Sequence, residues 1–62
     1  MEKLLTTVEV AELLGTTPGS LRNARARGLA PRAIRLKGLG LRWRQSDVEA
    51  WVAEQAAAAE AR

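Results

Sequence analysis

Residues 6–28, TTVEVAELLGTTPGSLRNARARG, contain two helix starts and two helix stops in immediate succession. Thr6 and Glu9 have capping-box spacing: the threonine oxygen can accept a backbone N–H of the first turn while the glutamate reaches back to the cap. A helix from there to about Leu14 ends at Gly15, a residue that takes the left-handed conformation without penalty. Thr17-Pro18 opens a second helix, with a threonine cap and a proline at the first helical position, where its missing N–H costs nothing. That helix runs to about Arg27; Gly28 is its stop, and Pro31 prevents its resumption. Two helices joined through a glycine turn form a helix-turn-helix, with Ala11 small at the crossing and Val10, Leu14, Leu21 and Ala24 as the apolar positions that hold the angle. A generic helical hairpin is the alternative, in which alanine and glycine at these points are coincidental.

Beyond Pro31 the pattern changes from helical to alternating. In RLKGLGLRWR, residues 35–44, four cations alternate with apolar residues around Gly38-Leu39-Gly40. A hairpin turning at Gly38-Leu39 is expected, with Gly38 at the first central position of a type II′ turn. This register pairs Leu36 with Leu41 and Ile34 with Trp43 on one face, and leaves Arg35, Lys37, Arg42 and Arg44 all facing outward. Arg35 then opposes Arg42, an unfavourable pairing that a bound anion would relieve. A second capping box, Ser46 to Glu49, starts a closing helix that continues to near Glu60, with Val48, Trp51, Val52 and Gln55 turned inward and both tryptophans in the core. The expected fold is mainly α with a small β-hairpin: helix-turn-helix, two-stranded wing, C-terminal helix, in a single domain over residues 1–62.

Sixty-two residues leave room for only a small core. Neither cysteine nor histidine is present, which removes disulfides, thiolate chemistry, Cys/His zinc sites and the usual general base near neutral pH. No cofactor or metal is expected, and the acidic residues at helix starts are explained by capping rather than by catalysis. The longest apolar run is short and the N-terminus lacks a basic leader, so a cytoplasmic protein with no membrane association is expected.

Net charge is +3, but it is segregated: residues 1–17 carry −2, residues 18–44 carry +8 with no acid, and residues 45–62 carry −3. Eight like charges in one segment repel one another unless a polyanion neutralises them. A GC-rich genome would explain the arginines and alanines but not the missing acids.

At this point the chain resembles the MerR-like winged helix-turn-helix family of phage excisionases and AlpA-type regulators. The resemblance rests on residues 8–15 (VEVAELLG), Ser20-Leu21, Gly28, Pro31, Ile34-Arg35-Leu36 and residues 42–51 (RWRQSDVEAW). It implies a second helix seated in the DNA major groove, a wing on the backbone or adjacent minor groove, and a role as an architectural protein in recombination or as a small transcription factor. It also implies a phage or plasmid integrase as partner. Ala24, Arg25 and Ala30 stand where family members often carry larger or aromatic residues, so a thin core beneath the second helix is expected, with Leu29 filling part of the gap.

At 100° per residue the second helix turns Leu21, Ala24 and Gly28 inward and Gly19, Arg22, Asn23 and Ala26 outward, flanked by Ser20 and Arg27. Arg22 and Asn23 suit guanine and adenine edges, and Gly19 and Ala26 allow close approach. Thr17 and the free N–H groups at the helix start suit a phosphate. Arg25 lies near the core edge, where packing and contact readings are balanced. On the wing, Lys37, Arg42 and Arg44 are stronger phosphate candidates than Arg35; a nucleotide cradle would need a longer glycine loop leading from strand into helix. Leu39, apolar at the wing tip, and the alanine tail Ala56 to Ala61 are candidate surfaces for cooperative self-association on DNA by a protein that is monomeric when free. A basic adaptor for an acidic protein and an RNA-binding module are the competing classes. RNA is disfavoured because both tryptophans are placed inward.

Overall fold

The computed structural model describes residues 1–60; Ala61, expected to extend the alanine tail, and Arg62 lie outside the described residues. The elements run β1 (Leu4–Leu5), α1 (Thr7–Leu13), α2 (Pro18–Ala26), β2 (Ile34–Leu36), β3 (Gly40–Arg44) and α3 (Gln45–Glu60). Three helices stand against a three-stranded antiparallel sheet of order β1-β3-β2, a small winged helix-turn-helix. No helix among the described residues is long and apolar enough to cross a membrane.

The local signals act as their chemistry requires. Thr6 and Glu9 close the capping box, with Glu9 N–H donating to Thr6 Oγ1 at 3.2 Å and Thr6 N–H to Glu9 Oε1 at 2.9 Å. Ser20 N–H donates to Thr17 Oγ1 at 3.1 Å, capping α2. Both helices end in Schellman motifs. Thr16 N–H reaches Ala11 O at 2.8 Å and Gly15 N–H reaches Glu12 O at 3.2 Å; Leu29 N–H reaches Ala24 O at 2.8 Å and Gly28 N–H reaches Arg25 O at 3.0 Å. Gly15 and Gly28 sit at φ 71° and 73°, where a side chain would be strained.

The sheet differs from the expected two-stranded wing in two respects. Leu4-Leu5 forms a third strand, pairing Leu4 with Arg44 and Leu5 with Trp43. The hairpin register is also one residue away from that expected: Leu36 pairs with Gly40, Arg35 with Leu41 and Ile34 with Arg42. Gly38 occupies the second central position of a turn closed by Leu39 N–H to Leu36 O at 3.1 Å. Its φ of 80° is what a type II turn demands there. Gly40 also takes positive φ, at 88°, which lets the loop hold three residues, Lys37 to Leu39. Because strand side chains alternate, a one-residue slip reverses facing across the pair. Leu41 and Trp43 therefore share a face with Leu5 and Ala33, and Ile34 and Leu36 share the other with Arg42.

The core is Leu5, Val10, Ala11, Leu21, Trp43 and Val48, with Leu14, Ala30, Ala33 and Leu41 packed around it. Trp43 is fully enclosed, at 0 % exposure. Burying an aromatic of this size contributes roughly 4–6 kcal/mol. Its indole N–H has no acceptor among the described residues, which costs about 1–3 kcal/mol. The gain from burial exceeds the loss, so the tryptophan holds its place despite an unmet donor.

Helix α3 begins one residue before the expected cap, directly on the end of β3. Ser46 does not close a box with Glu49. Its N–H and hydroxyl instead donate to the two carboxylate oxygens of Glu2, at 3.0 and 2.9 Å, so the N-terminal segment caps the last helix. The inward face of α3 is also shorter than its spacing suggests: Val48 is buried and Trp51 half-buried, while Val52 and Gln55 are exposed.

The hydrogen bonds from Ser46 hold the Glu2 carboxyl below its ordinary value of 4.5, and those from Thr6 do the same for Glu9. Each group binds fewer protons when folded than when unfolded, so its contribution is complete above the unfolded value and is lost as pH falls through the depressed one. The thermal midpoint should therefore stay level from pH 7 to about pH 5 and decline below it. Glu2→Gln should make that decline shallower, as followed by circular dichroism melts across the acid range.

Candidate nucleic-acid interface

Helix α2 presents the face that its periodicity indicates. Leu21 is buried and Ala24 half-buried, while Gly19, Ser20, Arg22, Asn23, Ala26 and Arg27 are exposed, as is Thr17 at the cap. Gly28, expected inward, is exposed because it serves as the turn after the helix rather than as its last inward residue. Arg25 is exposed as well, which frees its guanidinium from the core edge. A Cβ placed on Gly19 would meet no atom within 4 Å, so internal packing does not require glycine there.

The wing does not bring its four cations onto one face. With Arg35 paired to Leu41 and Arg42 to Ile34, Arg35 lies on the core side of the sheet, exposed beyond its rim, and Arg42 lies on the opposite side with Arg44. The expected Arg35–Arg42 opposition does not occur, and neither does the repulsion it would bring. Lys37 and Leu39 are in the loop, both exposed, Leu39 at 65 %.

Two wing cations already have partners within the chain. Arg44 clamps the first turn of α3, with Nε at 2.8 Å from Asp47 Oδ2 and Nη2 at 3.3 Å from Oδ1. This two-point bond, with the Asp47 charge behind it, holds the guanidinium more firmly protonated than usual. Arg42 donates from Nη1 to the carbonyl of Leu41 at 2.7 Å, which directs the guanidinium without neutralising it. Arg44 is thus the member of the expected wing set most committed to the fold. The Asp47 signal was present in the sequence as the residue three beyond Arg44, where a cation on a strand end can meet an acid in the first helical turn.

No acid lies on α2 or in the wing loop, and those nearby have partners within the chain. Glu9 is used at the α1 cap and also lies 3.8 Å from Lys3 Nζ, Asp47 binds Arg44, and Glu49 accepts from Gln45 at 3.3 Å. No group of His, Cys, Asp or Glu among the described residues is placed to hold a metal ion. The exposed side of α2 and the wing loop offer hydrogen-bond donors and positive charge.

A family profile described as a helix-turn-helix domain matches residues 4–56, from β1 through most of α3. No curated protein and no solved structure matches the chain.

Proposed function

The chain belongs to the helix-turn-helix domain family, which includes excisionase and AlpA-type regulators, and from that premise we infer that it binds duplex DNA through the exposed face of α2 and the wing. The single observation that carries this is the surface of α2, where Arg22 and Asn23 stand between two small residues, Gly19 and Ala26, on a face with no acid. A helix in the major groove needs base-reading side chains and room for its backbone to approach. Gly19 supplies that room, and nothing inside the protein asks for it. Arg22 and Asn23 are the specificity residues, suited to guanine and adenine. Ser20, Arg27, Thr17 and the N–H groups at the start of α2 position the helix on phosphates. On the wing, Lys37 and Arg42 carry the backbone contacts. Arg35 adds to the field from the other side of the sheet, and Arg44 orients α3 more than it reaches outward.

Within this reading the protein acts as an architectural factor of the excisionase type, binding attachment-site DNA beside an integrase. One short helix and one wing contact few bases, too few to select a site against many competitors, so neighbouring copies supply the missing selectivity. Exposed Leu39 at the wing tip supports such contacts. An AlpA-type regulator would bind a single site instead.

With about five phosphates neutralised, log K should fall against log salt with a slope near −4.5 in fluorescence-anisotropy titrations on duplex DNA. Arg42→Ala should reduce that slope by about one and weaken all sequences alike, whereas Asn23→Ala should relax preference at one base position. A slope near zero would exclude the DNA reading. On a multi-site fragment, independent filling of each site, unchanged by Leu39→Asp, would favour the regulator over the architectural factor.

A further inference from the structure

Three exposed leucine and valine side chains cluster on the side of the molecule away from the outer face of α2. A hollow of about 450 Å³ between the α1–α2 turn, the α2–β2 link and α3 shares Leu13, Leu14 and Val52 with a second of about 350 Å³ between α1 and α3. Together they form one trough. Its walls expose Leu13 at 65 %, Leu29 at 56 % and Val52 at 42 %, with Trp51 half-buried in its side. The trough has a cause in the sequence: Ala24 and Ala30 are small where the core thins, and Leu29, expected to fill part of the gap, lines it but stays exposed after the Gly28 stop.

Charge decides what fits there. Helix α1 carries Glu9 and Glu12 and no cation; the described length of α3 carries Asp47, Glu49, Glu54 and Glu60 and no cation. Glu49 lines the trough, and the residues of α2 that face it, Ser20, Leu21 and Ala24, are uncharged. A second copy is a poor occupant. Its α3 would set acids against acids, its basic helix α2 has its apolar side already buried, and its wing offers a single apolar residue at the tip.

We propose that this apolar trough between the acidic helices α1 and α3 is a docking site for a basic amphipathic helix of a partner protein, whose apolar stripe covers Leu13, Leu29, Trp51 and Val52 while its lysines or arginines meet Glu49 on the wall. Helix-in-groove recognition takes anchors at i, i+3, i+4 and i+7 and places the charged flanks on the rim. Trp51 is the anchor on this side, since a half-buried tryptophan loses little freedom when covered. Arg22 and Asn23 do not line the trough, and Ser20 stands at the edge it shares with the phosphate side of α2. This site does not depend on the DNA reading.

The test uses the full chain, labelled with nitrogen-15, and a synthetic helical peptide with leucines at i, i+3, i+4 and i+7 flanked by lysines. Its two tryptophans give two indole N–H signals. The basic peptide should shift the Trp51 signal saturably and leave that of enclosed Trp43 in place. A counterpart with glutamates in place of the lysines should bind at least about tenfold more weakly. Glu49→Lys, on an exposed side chain, should weaken the basic peptide by about tenfold, and Val52→Asp likewise, with unchanged melting curves. An unmoved Trp51 signal, or equal binding of both peptides, would overturn the proposal. So would a Trp51 shift that follows protein concentration alone, which would assign the trough to a second copy.

Discussion

Strand β3 lies between β1 and β2 and runs without a break into α3, and its one enclosed side chain, Trp43, sits in the core cluster with residues of β1 and of all three helices. It faces Leu5 across the sheet and packs in the cluster that holds Val10 and Ala11 of α1, Leu21 of α2 and Val48 of α3. In a chain this short few other side chains bury comparable area. The angle between α1 and α2, the attachment of the wing and the start of α3 all depend on that contact. The unmet indole N–H shows that packing, rather than hydrogen bonding, fixes the position.

Around that centre the ends of the elements are tied by short polar contacts. The Arg44–Asp47 pair fixes the direction in which α3 leaves the sheet, and Glu2 caps α3 from the other end of the chain. The wing and the N-terminal strand are thereby coupled to the helix that carries Trp51. Acids are used at caps and along α1 and α3, while the cations of α2 and the wing loop are exposed and, among the described residues, Arg44 alone of the wing set is bound by an acid.

What was legible in the sequence was local. The Thr6–Glu9 box, the Thr17 cap before Pro18 and the two glycine stops each act within five residues, and each forms its local hydrogen bonds. The outward face of α2 also followed from helical spacing alone. Contacts that span the chain were hidden: Leu5 meets Trp43, and Glu2 meets Ser46 at a separation of 44 residues, with nothing local to announce either. The wing register failed for a narrower reason. Gly38-Leu39-Gly40 permits a two-residue or a three-residue loop, and the positive φ at Gly40 selects the longer one. That slip separates Arg35 from Arg42 and turns Ile34 and Leu36 away from Trp43. Leu29 lines the hollow beside Ala24 and Ala30 without closing it, because the Schellman turn before it sets its direction and leaves it 56 % exposed.

The interface account reduces to one spatial claim, that a polyanion meets the outer side of α2 and the wing and not the acidic side. Mapping amide chemical shifts as duplex DNA is added tests it most directly, at a salt concentration low enough for tight binding. The account predicts the largest changes at Thr17, Gly19, Arg22, Asn23 and Ala26, with a second group at Lys37 to Arg42 and little at Leu13, Trp51 and Val52. Changes concentrated on α1 and α3, with α2 unmoved, would contradict it.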